Sequence, residues 1–168
     1  CILGICRALL KSGYQPKRTL RIILHGAEEW GVTGTRYHWA RGAFMETQKH
    51  PEWGENGFFL LNLDGAVCCG TADKAVVRTS YSAEAGVRAL GENIAPTCYP
   101  FGTMAPMWTW TESYMYASLG IPTMESFYEG KGADFWPSYH SSSDTREAAN
   151  YSDEAFRSSH VLYGTLLQ

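Results

Sequence analysis

Glu28 and Glu29 are adjacent acids that follow closely on an apolar, β-branched run, Thr19 to Leu24 (TLRIIL). Like charges repel and lose hydration on burial, so such a pair at the end of a buried strand calls for a cation on one of its members. A solvated helix start, where acids meet the positive end of the helix dipole, would account for the pair equally well. A further acid, Asp64, ends a second apolar run, Phe58 to Leu63 (FFLLNL), and precedes Gly65. A plain Asp-Gly turn would also place an acid there. Tyr139-His140 opens a third set and is followed by Ser141-Ser142-Ser143-Asp144-Thr145. A single loop histidine is ordinary. Taken together, carboxylates and an imidazole on separate segments make the donor set of a catalytic zinc site with open positions.

These groups need a scaffold that brings them to one place. Residues 1–12 put Ile2, Ile5, Cys6, Leu9 and Leu10 on one helical face, and Gly13 stands where a glycine ends a helix. TLRIIL and FFLLNL read as buried strands, and Lys74 to Thr79 as a weaker one. Helices are expected over 33–44, 83–90 and 112–119, the last stopped by Gly120. Ile121 to Phe127 reads as a strand entered through Pro122. Asn93 to Trp110 has no clear period. A final helix begins near Ser152, with Phe156, His160, Tyr163 and Leu167 on its buried face. Alternation at this spacing predicts an α/β fold, a three-layer αβα sandwich with a mostly parallel central sheet. In such sheets, sites lie at the carboxyl ends of the strands, where the three sets fall.

The chain of 168 residues fits one domain, with no repeat or linker inside 1–168. Hydrophobic residues make up 45% and charged ones 18%, a folded rather than disordered composition. No apolar run has the length of a membrane-crossing helix. With 14 basic and 17 acidic residues the net charge is −3, which speaks against a nucleic-acid binder. The five cysteines include no CxxC pair, so a thiolate zinc site is not expected and they read as small buried hydrophobes. The sequence has no phosphate-cradling glycine loop of a nucleotide-binding fold. Asn150-Tyr151-Ser152 is an N-glycosylation sequon and tilts the compartment toward the secretory, vacuolar or extracellular side.

Four segments, in order, resemble one family. "TLRIILHGAEEWGVTGTRY" (19–37) looks like the strand and A-E-E-x-G-x-x-G-(S/T) signature of the co-catalytic di-zinc exopeptidases. That group contains glutamate carboxypeptidase, secreted and vacuolar aminopeptidases, and the non-enzymatic transferrin receptor. "LLNLDGAV" (60–67) resembles its strand ending on a zinc-binding Asp. "LGIPTMESF" (119–127) resembles its GIP strand, and "YHSSSDT" (139–145) its YH-x-x-x-D-T loop. The resemblance implies that Glu28 is the general base acting on a zinc-bridging water. It implies that Glu29 and His140 bind one zinc, that Asp64 binds the other, and that Tyr139 stabilises the oxyanion. Gly31 and Gly34 would serve the tight turn after the acids.

The family site also uses a His and a bridging Asp from an H-x-D motif that precedes the helix with which this chain opens. No His-x-Asp occurs here, so a segment before Cys1 or a partner chain is expected to supply both. The apolar start at Cys1 fits a domain whose sheet calls for more chain at its N-terminus, and this chain alone is expected to hold one zinc or none and to be inactive. His25 reads as a strand histidine with a satisfied hydrogen bond. Asn93 to Trp110 contains no Arg or Lys, which points to peptide substrates with neutral or hydrophobic terminal residues, since acidic ones would call for Arg. An aminopeptidase is thereby favoured over a carboxypeptidase. The competing expectation is a peptidase-like domain without catalysis, acting as a structural or receptor module.

Overall fold

The computed structural model describes residues 1–31, 34, 39–64, 74–94, 101–129, 140–145, 147 and 153–167. The first helix, α1 (Ile2–Lys11), buries Ile5 and Leu9, one helical turn apart. It ends as Gly13 predicts: with φ +73 at that glycine, Gly13 N–H donates to Leu10 O and Tyr14 N–H to Leu9 O, the paired bonds of a Schellman cap. Leu10 is 80% exposed, contrary to its expected place on the inner face. The stripe running through Ile5 and Leu9 leaves the next position turned about 100° away.

Further along the chain come α2 (Arg41–Lys49) and the single turn α3 (Trp53–Asn56). The alternation that follows is β1 (Leu60–Asn62), β2 (Lys74–Thr79), α4 (Tyr81–Ile94), β3 (Phe101–Met104), α5 (Glu112–Ala117), β4 (Thr123–Glu129) and α6 (Asp153–Leu166). Gly120, at φ +93, turns the chain from α5 into β4.

Among the described residues four strands form one small open sheet in the order β1-β4-β2-β3. β1 runs parallel to β4 from Leu60↔Thr123 to Asn62↔Glu125, and β2 parallel to β3 from Ala75↔Phe101 to Arg78↔Met104. β2 and β4 are antiparallel, from Lys74↔Glu129 to Thr79↔Met124. The sheet is therefore mixed, with its longest ladder antiparallel. α4 packs on β2, β3 and β4, α5 packs on β1 and β4, and α2 packs on α5. The fold is mixed α/β.

A core of Ala40, Ala43, Met115, Tyr116 and Ile121 joins α2, α5 and the entry to β4. Phe44, Trp53, Leu60 and Ile23 pack against it. At the other end, α6 lies on α1 so closely that a Cβ on Gly4 would stand 2.1 Å from His160 Nε2, and Tyr163 is fully buried. No helix among the described residues is long and apolar enough to cross a membrane.

Three expectations need correction. Thr19 to Leu24 is not a strand: it forms no ladder, and Leu20, Ile22 and Leu24 are 39%, 48% and 77% exposed. Only Ile23 of its apolar residues joins the core. A strand is a property of a pair, and among the described residues β1, at the sheet edge, makes its ladder with β4 alone. The expected helix over 33–44 is not continuous: Ala40 takes left-handed backbone and α2 begins at Arg41, while 33 and 35–38 lie outside the described residues. Finally, β3 occupies part of the stretch for which no period was evident.

Candidate active site

The acid pair lies in a tight turn and not in the first turn of a helix. Ala27 takes the left-handed conformation at φ +57, and Trp30 N–H donates back to Ala27 O at 3.3 Å. Left-handed backbone at a residue with a Cβ is strained by roughly 1–2 kcal/mol, and such strain concentrates at functional sites. The turn is docked on the start of α2. Ala40 N–H donates to Glu28 O at 2.6 Å and Arg41 N–H to Trp30 O at 3.2 Å. Gly34 lies at φ +81, in left-handed backbone that favours glycine.

Glu28 is half-buried, and burial raises its carboxyl to about 7, with Glu112, Glu29, Asp64 and Glu125 all pushing in the same direction. A carboxyl in that range exists in both proton forms near neutrality and can take or return a proton.

Glu29 and His140 come together from opposite ends of the chain, His140 Nε2 lying 2.8 Å from Glu29 Oε1. Both are exposed, and His140 sits in left-handed backbone at φ +57. Asp64 leaves β1 in a turn, and its backbone carbonyl accepts a hydrogen bond from Ser126 Oγ on β4. Tyr139 and the helix-region histidine His38 lie outside the described residues.

Two acids missed by the sequence reading complete the electrostatics. Glu112, first residue of α5, is 8% exposed; burial raises its carboxyl, its own backbone N–H opposes, and Asp64 adds to the rise. Asn62 Nδ2 donates to Glu112 Oε2 at 3.4 Å. Glu125, on β4, is 2% exposed and burial pushes it to about 7; the Thr111 and Ser113 hydroxyls favour the ionised form, while Asp64 and Glu112 oppose it. Thr111 precedes α5 but does not cap it, because its hydroxyl donates to Glu125 Oε2 instead. Glu125 could have been suspected from its place between Met124 and Ser126 in an apolar strand. Glu112 carried no such signal, since an acid at a helix start is commonplace.

His25 has the hydrogen bond expected of it but lies in no strand. Its Nε2 lies 2.7 Å from Tyr116 Oη, and burial lowers its pKa against the pull of Glu46. The loop from Ala105 to Trp110 brings no cation of its own, yet β2 supplies one: the Arg78 guanidinium lies 3.9 Å over the Trp108 ring and donates to Pro106 O at 3.3 Å.

The Glu29–His140 pair offers one carboxylate oxygen and one imidazole nitrogen converging from separate segments, which is the chemistry of a zinc donor set. Among the described residues no group of three or more His, Cys, Asp or Glu is arranged to hold one ion. The donors fit zinc in kind, and two such groups would supply only part of a coordination sphere.

The fold resembles two solved structures. One is a Peptidase M28 precursor from Shewanella amazonensis SB2B, with TM-score 0.71 and 21% identity, covering 99% of this chain and 34% of that one. The other is an aminopeptidase from Aneurinibacillus sp. strain AM-1, with TM-score 0.52 and 18% identity, covering 76% of this chain and 29% of that one. The chain therefore spans about a third of the length of these proteins. No curated protein sequence matches it. Its own sequence matches the family described as Peptidase family M28 over residues 1–161. On that match the chain belongs to peptidase family M28.

Proposed function

We propose that this domain takes part in zinc-dependent hydrolysis of peptide bonds at a chain terminus, as an aminopeptidase acting on neutral or hydrophobic residues. Family membership supports peptide hydrolysis. The observation that carries the finer reading is the half-buried Glu28, poised near neutrality, next to a Glu29 that meets His140 at 2.8 Å. Glu29 Oε1 and His140 Nε2 would hold one zinc, and Asp64 would face the second. When bound, zinc would polarise the scissile carbonyl and lower the pKa of water. A Glu28 carboxylate oxygen accepts a proton from the attacking water and returns it to the leaving amine. Tyr139 would donate to the oxyanion. The remaining His and bridging Asp would come from a segment or partner outside residues 1–168. The preponderance of acids around Glu28 favours a substrate's free ammonium over a carboxylate near the site.

The test is Glu28→Gln in the intact protein. Turnover is expected to fall by about 10²–10⁴-fold, the usual contribution of a general base, with zinc content unchanged. Full turnover in the variant would refute the assignment. Leucyl and phenylalanyl substrates are expected to be cleaved faster than C-terminal glutamyl ones, and the reverse order would overturn the specificity. A zinc-free wild type with no turnover would favour the non-catalytic structural or receptor module.

A further inference from the structure

We infer that Gly42 is a positioning residue for Glu28: its missing side chain lets the start of α2 close onto the backbone that carries the acid pair. The inference rests on the peptidase reading for its catalytic consequence and on geometry for its structural one. A Cβ built on Gly42 would lie 2.1 Å from Gly26 O and 3.2 Å from Gly26 N and C. These are backbone atoms, which no rotamer change can move aside. Gly26 precedes Glu28 by two residues, and between them Ala27 sits in left-handed backbone with little room to adjust.

The same approach brings Ala40 N–H to Glu28 O at 2.6 Å and Arg41 N–H to Trp30 O at 3.2 Å. These N–H groups belong to a helix start, where they have no partner within the helix. The Glu28 turn satisfies them, and they fix its backbone. α2 cannot retreat to accept a side chain, because Ala43 and Thr47 are buried and α2 packs on α5. Glycine weakens a helix by about 1 kcal/mol relative to alanine, so helix formation does not explain this residue. The contact with Gly26 does.

Gly42→Ala in the full-length protein tests this, with Gly54→Ala as control. A Cβ on Gly54 would meet Leu119 O at 2.6 Å, a clash of the same kind made with the turn before β4. In the wild type, the Ala40 and Arg41 amides are expected to be protected from hydrogen exchange much as those inside α2. Gly42→Ala is expected to lose that protection at least about tenfold and kcat on the order of 10²-fold, with KM little changed, as for a misplacement of about 1 Å. Gly54→Ala is expected to lower Tm but keep kcat. Unprotected Ala40 and Arg41 amides in the wild type would overturn the inference without any variant. So would unchanged protection in Gly42→Ala, lost protection with kcat retained, or an equal kcat loss in Gly54→Ala. An inactive wild type would sink the peptidase reading, and the exchange data would still decide whether Gly42 holds the turn.

Discussion

Ser126, buried in β4, donates its hydroxyl proton to the backbone carbonyl of Asp64, two residues beyond the end of β1. The bond spans the parallel β1–β4 pair past its last matched residues, Asn62 and Glu125. It orients an acid that has left the ladder and would otherwise swing with its turn. Ser126→Ala is expected to lower stability by about 1 kcal/mol, the usual value of one such bond, as read by thermal unfolding. If Asp64 serves a metal, zinc affinity should also fall by about 10-fold or more, because orienting partners of ligands matter on that scale. Calorimetric titration with zinc reads the second effect, and an unchanged affinity would show that Asp64 is not held for a metal.

Glu125 gives the fold a pH dependence whose sign is fixed by its environment. Its folded carboxyl is pushed up to about 7 from an ordinary 4.5, so between those values the folded state binds more protons than the unfolded one. Stability is therefore highest below about pH 4.5 for this group and declines as pH rises through 7. Glu125→Gln removes the charge and keeps an acceptor for Thr111. The variant is expected to be more stable than wild type above pH 7, by up to about 3 kcal/mol, and to show a flatter profile between pH 4.5 and 7. Urea unfolding at pH 5 and pH 8 decides it. A variant equally destabilised at both values would mean that the carboxylate is needed for packing and is not a strained charge.

Local signals foretold some parts of this chain and could not foretell others. Gly13 announces the end of α1 because the cap needs a left-handed residue there, and Lys74 to Thr79 emerges as β2 with the bounds its β-branched pattern sets. TLRIIL has strand composition yet forms no ladder, since pairing depends on residues distant in sequence. β3, with sequence FGTM, is short and carries a glycine, and no alternation marks it. At the candidate site, motif and order single out Glu28, Glu29 and His140, and the structure brings the last two into contact. Glu125 stands out only as an acid inside an apolar strand, and Glu112 not at all, because what distinguishes it is burial. Gly42 was invisible for a similar reason: its meaning lies in Gly26, sixteen positions earlier.

The Tyr116 hydroxyl and His25 Nε2 form a pair that links the stretch before the acids to α5. Burial lowers the His25 pKa and, with Glu46 and Glu112, raises that of Tyr116 to about 12. Both stay neutral from weakly acidic to alkaline pH. Because the folded histidine resists protonation, its contribution is complete above pH 6.5 and fades as pH falls through its depressed folded value. Tyr116→Phe leaves His25 Nε2 without this partner and is expected to lose about 1–3 kcal/mol at pH 8, measured by urea unfolding. A loss below about 0.5 kcal/mol would show that water replaces the phenol at His25.

The contact between His140 and Glu29 separates a stabilising role from a ligand role. Both side chains are more than half exposed, and even a fully charged pair so placed would contribute only about 0–1 kcal/mol to stability. The cost of holding His140 at φ +57 is of comparable size and opposite sign. Stability alone therefore gives little reason for the pair to form. His140→Asn removes the imidazole and keeps a side chain that tolerates left-handed backbone better than most. Tm is expected to stay within a few degrees of wild type. Zinc binding to the intact protein, read by metal analysis after dialysis, is expected to be lost together with turnover. Retained zinc would remove His140 from the ligand set. A large drop in Tm would instead make the Glu29 contact a fastening of the 140–145 segment to the turn that carries Glu28.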